Sequence, residues 1–298
     1  VTLQAKLCKD MTDWVKAHEG CYNLVFVPQV YCTSALTWSN WGWSGTPTVE
    51  QYFGHFSDIE DLEIMWTGEW VCHPASQNTI TNFKNKSGKE AFMWLNWPVN
   101  DVNHARLVMG PAETGILEPG LHDFMGLVTN PLEQAEASKT ALFATADFAW
   151  NTTDFSCFES WADGFKYIEP GAPEAMHELC KHLTNPSPGG ITSMGESTEL
   201  TPHITAFTNA YDGGNGTDYE DEANALMEQF QKIVKAADDF QNNGINANLQ
   251  DEMKPWVDSL RYLSRACIGF IKTAIELKNE DREAVFGSYL SAVNNYKA

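Results

Sequence analysis

Residues 91–101 read Ala-Phe-Met-Trp-Leu-Asn-Trp-Pro-Val-Asn-Asp, an apolar run that passes directly into amides, a proline and a carboxylate. In a strand, side chains alternate, so Phe92, Trp94 and Asn96 share one face and Met93, Leu95 and Trp97 the other. A short strand apolar on both faces is a buried strand. Asn96 then sets a primary amide beside Trp94, and a buried amide without a partner costs roughly 1–3 kcal/mol, so something must hydrogen-bond to it. This is how the edge of an active site reads.

Working outward, 24–31 (LVFVPQVY), 62–68 (LEIMWTG) and 124–128 are similar short runs, spaced about thirty residues apart. Pro28 weakens the first as a strand. Between the runs the spacing predicts helices at 3–18, 76–88 and 131–150, the first with Leu3, Leu7, Met11, Trp14 and Val15 on one stripe. Alternating strand and helix means a parallel sheet or part of a (β/α)8 barrel. After about residue 155 strand signals stop. Helical spacing takes over, with Ala223, Leu226, Met227, Phe230, Ile233, Val234 and Ala237 on one stripe and Met253, Trp256, Val257, Leu260, Leu263, Cys267 and Ile271 on another. The expected organisation is an α/β part over 1–152 and a helical bundle over 153–298, the latter interrupted by a turn-rich stretch at 185–190 (NPSPGG).

The 298 residues hold 43% apolar side chains, enough for a sizeable core. Nineteen basic against forty acidic residues give a net charge of −21, which argues against nucleic acid or anionic membranes as partners. Eleven tryptophans, clustered between Trp38 and Trp97, suit stacking on sugar rings as well as ordinary core packing. The seven cysteines show no C-x-x-C and no metal-like spacing, so zinc is not expected and mostly buried free thiols are. No apolar run is long enough for a membrane span, and the start carries no signal-peptide pattern. The first residue is Val1 rather than methionine, which hints at processing or truncation upstream. The acidic stretch 212–221 (DGGNGTDYED) lacks the calcium-loop register, with Thr217 at the sixth position and Ala223 at the twelfth.

Ligands of barrels and open parallel sheets bind at the carboxyl ends of the strands. There stand Tyr31 after the first run, Thr67 after the second, Asn96 and Asp101 after the third, and Asn130 after the fourth. Each has a structural alternative. Tyr31 can simply find a backbone partner, Thr67 before Gly68 can shape a turn, Trp94 can be core, and Asp101 can cap the chain after Pro98. Asn130-Pro131-Leu132-Glu133 fits a helix N-cap with proline at the first helical position.

The stretches WLNWPVND (94–101), RLVMGP (106–111), VTNPLEQAEASK (128–139) and ADFAWN (146–151) together resemble glycoside hydrolase family 84, the O-GlcNAcases and bacterial β-N-acetylglucosaminidases often called hyaluronidases. The resemblance covers residues 1 to about 185 and, more loosely, the helical remainder; the wording of 94–98 is similar to the clostridial hyaluronidase-type branch. It implies the carboxyl-terminal half of a (β/α)8 barrel followed by a helical domain, and retaining hydrolysis of β-linked N-acetylglucosamine assisted by the substrate's own acetamido group, with no metal or organic cofactor. By the same resemblance Tyr31, Thr67 and Trp94 wall the acetamido pocket with Asn96 supporting it, and Asp101 and Asn130 bind sugar hydroxyls.

The family's adjacent catalytic aspartates lie at the end of the barrel strand before the first run found here. Only Asp10 and Asp13, both on helical positions, precede residue 24, and the adjacent Asp238 and Asp239 fall in the helical part. The expectation is a chain without its catalytic pair, inactive alone and needing a missing amino-terminal half or self-association to bury its open barrel wall. A non-catalytic carbohydrate-binding module that keeps the sugar pocket is the alternative, and a helical scaffold that contacts partners is a third. The family also implies secretion from a bacterium.

Overall fold

The computed structural model describes residues 1–38, 45–101, 104–111, 116–183, 197, 199–213 and 219–298. Its first part alternates helix and strand: α1 (Thr2–Lys16), β1 (Leu24–Phe26), α2 (Val49–Phe53), β2 (Leu62–Trp66), α3 (Gln77–Ser87), β3 (Ala91–Leu95), β4 (Phe124–Thr129) and α4 (Ala135–Trp150). The strands form one parallel sheet in the order β1-β2-β3-β4, each beside its sequence neighbour. Then come α5 (Cys157–Ile168), α6 (Pro173–Lys181), α7 (Thr201–Tyr211), α8 (Tyr219–Asn243), α9 (Ala247–Lys278) and α10 (Arg282–Lys297). The architecture is a mixed α/β part with a parallel sheet, followed by a helical part.

Local chemistry sets the element ends. The Thr48 hydroxyl accepts from Gln51 N and the Gln51 side chain accepts from Thr48 N, a capping box that starts α2. The Ser76 hydroxyl caps α3 by accepting from Thr79 N, and Gly88 stops the helix with φ 73°, a conformation that only glycine adopts cheaply. β1 is shorter than the apolar run that encodes it. It ends at Phe26 because Pro28 has no N–H to give the ladder.

Register places Ile64 beside Ala91 and Met65 beside Phe92, so the two faces of the sheet are distinct. On one face Leu62, Ile64, Trp66, Ala91, Met93 and Leu95 are all buried, against a core containing Phe53, Phe83 and Phe148. Trp66 and Phe83 stack with centroids 4.7 Å apart. On the other face Val25, Met65, Phe92, Trp94 and Val128 all keep accessible surface. Parallel sheets are ordinarily covered on both sides.

α1 forms where the spacing predicts it. Its strong stripe points outward, with Leu3 83%, Leu7 58%, Met11 46% and Trp14 60% exposed. The residues it buries are Ala5, Cys8 and Thr12, and the Thr12 hydroxyl donates to the Cys8 carbonyl. Hydrophobic periodicity finds the helix but not which of two faces the described residues cover.

A second core ties the helical part to the first. Trp97, Val99, Leu107, Val108 and Met109 from the strand-end loops, with Ala137, Ala141 and Ala144 of α4, join the buried stripes of α5, α6, α8 and α9. On α9 the expected stripe holds for Met253, Val257 and Ile271, whereas Leu263 is 49% exposed. The helix expected from residue 131 begins at Ala135, so Asn130 does not cap it. All seven cysteines are free thiols, five of them buried. The turn-rich stretch 185–190 and residues 214–218 of the acidic stretch lie outside the described residues.

Candidate functional site

Beyond the regular strands the chain stays in register, which gathers the strand-end residues at one edge. Thr67 N donates to the Tyr31 carbonyl at 2.8 Å, Asn130 N to the Leu95 carbonyl at 2.9 Å, and Val99 N to the Asn130 carbonyl at 3.0 Å. Tyr31, Trp94, Asn96 and Asn130 are consequently neighbours. The Tyr31 ring lies 5.5 Å from that of Trp94 and 5.7 Å, edge-on, from that of Trp38. Both neighbours are half-buried, and the three rings together form an aromatic wall.

The Tyr31 phenol has no hydrogen-bond partner among the described residues. Burial, then the nearby Cys32, Cys72 and Asp101, hold its pKa above the ordinary value, so it remains an O–H donor. Asp101 is exposed, and its carboxylate makes no hydrogen bond among the described residues. Thr67 is differently placed. It is 1% exposed, and its hydroxyl lies 2.8 Å from the Trp70 carbonyl and 3.3 Å from that of Tyr31. One hydroxyl carries one proton. It fastens the loop after β2, where Gly68 turns with φ 107° and a Cβ would meet the His73 ring at 2.9 Å.

The amides form a chain across three strand ends. Asn96 Nδ2 donates to the Val71 carbonyl at 2.7 Å, and Asn130 Nδ2 donates to Asn96 Oδ1 at 3.1 Å. The Asn96 amide, half-buried in the structure, thus finds partners inside the protein. Asn130, read from sequence as either a helix cap or a ligand, uses its side chain for this chain and retains Oδ1 and an N–H. Two contributors escaped the sequence reading. Trp38 was one tryptophan among many, and Asn100, fully buried, had no local signal; its Nδ2 donates to the Arg106 carbonyl at 2.7 Å and Gln134 Oε1 at 3.3 Å.

The edge therefore offers an aromatic wall, a neutral phenolic donor, paired amides and one exposed carboxylate, a set suited to a neutral polyhydroxyl or amide-bearing ligand. No adjacent pair of carboxylates stands at the carboxyl end of a strand among the described residues. Asp238 and Asp239 lie on α8, where Asp238 pairs with Arg261 at 2.9 Å and Arg265 at 3.3 Å. Among the described residues no group of three or more His, Cys, Asp or Glu could hold a metal ion, and no helix is long and apolar enough to cross a membrane.

Residues 1–181 match the family model described as beta-N-acetylglucosaminidase, which makes the chain a glycoside hydrolase by class. Residues 196–298 match the bacterial GH84 post-catalytic domain, and the chain belongs to glycoside hydrolase family 84. The solved structure of CpGH84D is 36% identical with a TM-score of 0.78, covering 100% of this chain and 48% of that one. CpGH84B is 22% identical with a TM-score of 0.82 over 99% of this chain and 50% of its own. A mutant of the Thermobaculum terrenum O-GlcNAc hydrolase is 18% identical with a TM-score of 0.74, over 97% and 58%. These last two likenesses show the fold alone. The chain spans about half the length of these solved relatives.

Proposed function

We propose that residues 1–152 are the carboxyl-terminal half of a (β/α)8 barrel and 153–298 its helical post-catalytic domain, within a retaining β-N-acetylglucosaminidase that hydrolyses β-linked N-acetylglucosamine on glycans or glycoproteins. The observation that carries the barrel is the sheet: four strands in sequential order with one face sealed by helices and the other left partly accessible by the described residues. Four further strands from an amino-terminal half would cover Met65, Phe92, Trp94 and Val128, and the exposed stripe of α1 would meet that half's last helix.

In this reading the acetamido oxygen attacks the anomeric carbon, the glycosidic oxygen leaves with a proton, and water opens the resulting oxazoline. Tyr31 donates a hydrogen bond from its phenol to the acetamido oxygen, and its raised pKa keeps the proton on the phenol. Trp94 and Trp38 wall the group, and Asn96 orients it through the amide chain. Asp101 accepts from sugar hydroxyls, Asn130 supplies its remaining amide atoms, and Thr67 shapes the loop that closes the pocket. The acid and base are two aspartates outside this chain. No cofactor takes part, and the parent enzyme is secreted by a bacterium.

The test is release of chromophore from a β-N-acetylglucosaminide, together with N-acetylglucosamine binding by calorimetry. The isolated chain is expected to show no turnover, and addition of its amino-terminal half to restore it. Turnover by the isolated chain would overturn the placement of the aspartates. The second reading, a non-catalytic carbohydrate-binding module, is favoured by the absence of an adjacent carboxylate pair at the carboxyl ends of the described strands. It predicts binding that the amino-terminal half does not convert into turnover.

A further inference from the structure

We infer that α9 of the helical part is a positioning element of the sugar site, acting through Trp256 and Glu252 on the two loops that carry Asp101 and Asn130. The two residues are four apart and so share one side of the helix. Each reaches across to a different site loop.

Trp256 Nε1 donates to the Ala105 carbonyl at 2.9 Å. The next carbonyl, that of Arg106, accepts from the buried Asn100 at 2.7 Å, and Asn100 immediately precedes Asp101. The loop bearing the exposed carboxylate is therefore fastened on both sides of its turn, once from within and once from α9. Glu252 does the corresponding work at the other loop. α4 begins without a side-chain cap of its own, and Glu252 Oε2 accepts from Glu136 N at 2.8 Å and Ala137 N at 3.1 Å. A carboxylate there satisfies two orphan N–H groups and complements the positive end of the helix dipole. Asn246, at the start of α9, adds a bond from its Nδ2 to Glu136 Oε2 at 3.0 Å.

The stretch between Asn130 and α4 is thus set by a residue more than a hundred positions later in the chain. The two loops are also joined to each other. His104 Nδ1 lies 3.1 Å from Glu133 Oε1, and Asn100 Nδ2 lies 3.3 Å from Gln134 Oε1. Movement of α9 relative to the sheet would shift Asp101 and Asn130 together. The helical part is then a component of ligand recognition, and its contacts with Ala105, Glu136 and Ala137 set the spacing of the hydroxyl-binding groups.

This inference rests on the sugar-binding reading of Asp101, and the experiment separates the two. N-acetylglucosamine affinity of the full chain, with its amino-terminal half supplied, is measured by calorimetry for wild type, Asp101→Ala, Trp256→Phe, the double variant, Glu252→Ala and Glu252→Gln. Trp256→Phe keeps the ring and removes the donor. It is expected to weaken binding about fivefold, the equivalent of one hydrogen bond, with an unchanged melting temperature. In the Asp101→Ala background the same change is expected to do nothing further, because Trp256 acts through that loop. Glu252→Ala weakens binding by a similar factor and Glu252→Gln, which keeps an acceptor, restores most of it. Wild-type failure to bind removes both readings. Wild-type binding that Asp101→Ala abolishes but Trp256→Phe leaves unchanged, or losses that add in the double variant, overturns the role of α9 alone.

Discussion

Ile64, Trp66, Met93 and Leu95 on one face of the sheet are at most 1% exposed, whereas Val25, Met65, Phe92 and Trp94 on the other all keep accessible surface. Both sets are apolar, so composition does not distinguish them. What differs is the cover: α1, α2, α3 and α4 pack on the first face, and no described element seals the second. An apolar strand face is thus a demand for a partner, and only half of the demand is met within these residues.

That comparison breaks if the two faces respond alike to truncation. Trp66→Ala is expected to cost about 3–5 kcal/mol in denaturant unfolding, because the ring fills a closed core. Phe92→Ala is expected to cost less than about 1.5 kcal/mol in the isolated chain and, on the proposed barrel, to approach the buried-aromatic range once the proposed amino-terminal half is bound. Equal losses in the isolated chain would show that the second face is already covered.

The outward stripe of α1 sharpens the same contrast. Leu7→Glu with Met11→Glu should leave the stability of the isolated chain within about 0.5 kcal/mol, as for exposed positions generally. Association with the amino-terminal half, followed by light scattering, should weaken roughly a hundredfold, from two apolar side chains worth about 1.5 kcal/mol each on burial. An unchanged association would show that the α1 stripe is not where the proposed amino-terminal half docks.

Glycines test how much room each region has. A Cβ on Gly126 would meet the Phe92 ring at 2.8 Å, and one on Gly269 would meet Ala292 Cβ at 2.7 Å. Ala292 is fully buried between α9 and α10, so Gly269→Ala has nowhere to relax and should cost about 1–3 kcal/mol. Phe92 faces the open side and can swing, so Gly126→Ala should cost under about 1 kcal/mol. Reversal of that order would mean the open face is rigidly packed.

The same distinction explains what was legible in the sequence. β2, β3 and α3 could be read because their signals are local: alternation, a Ser cap, a Gly stop. Asn96 could be picked out because a buried amide needs partners, and both partners proved to be groups of the protein, Val71 and Asn130. Asn130 looked like a cap because Asn-Pro-Leu-Glu carries the local signature, but the true cap of α4 is Glu252, a pairing no local pattern encodes. The stripe of α1 was legible as apolar, but not the side to which it turns. Periodicity reports that a face wants cover, and tertiary structure decides what supplies it.

The smallest expected effect concerns charge, and again divides a sheltered region from an open one. Glu178 on α6 lies 3.6 Å from His182 Nε2 and 3.1 Å from Lys181 Nζ, and the His182 side chain is 4% exposed. The His182 ring, and then Lys181, hold the Glu178 pKa down to about 2 from an ordinary 4.5. A carboxyl whose folded pKa is depressed stabilises the fold fully above its unfolded value and loses that contribution as pH falls through the folded one. The gap in unfolding free energy between wild type and Glu178→Gln should therefore stand at under about 1 kcal/mol near neutrality. It should close as the pH is lowered from 4.5 toward 2. Asp10 on α1 also has a lysine partner, Lys6 at 2.7 Å, but both side chains are more than half exposed and solvent screens the pair. Asp10→Asn should change nothing measurable at any of these pH values. A Glu178→Gln gap that widens on acidification, or an Asp10→Asn gap as large, would remove the link between shelter and electrostatic contribution on which the contrast of the two regions depends.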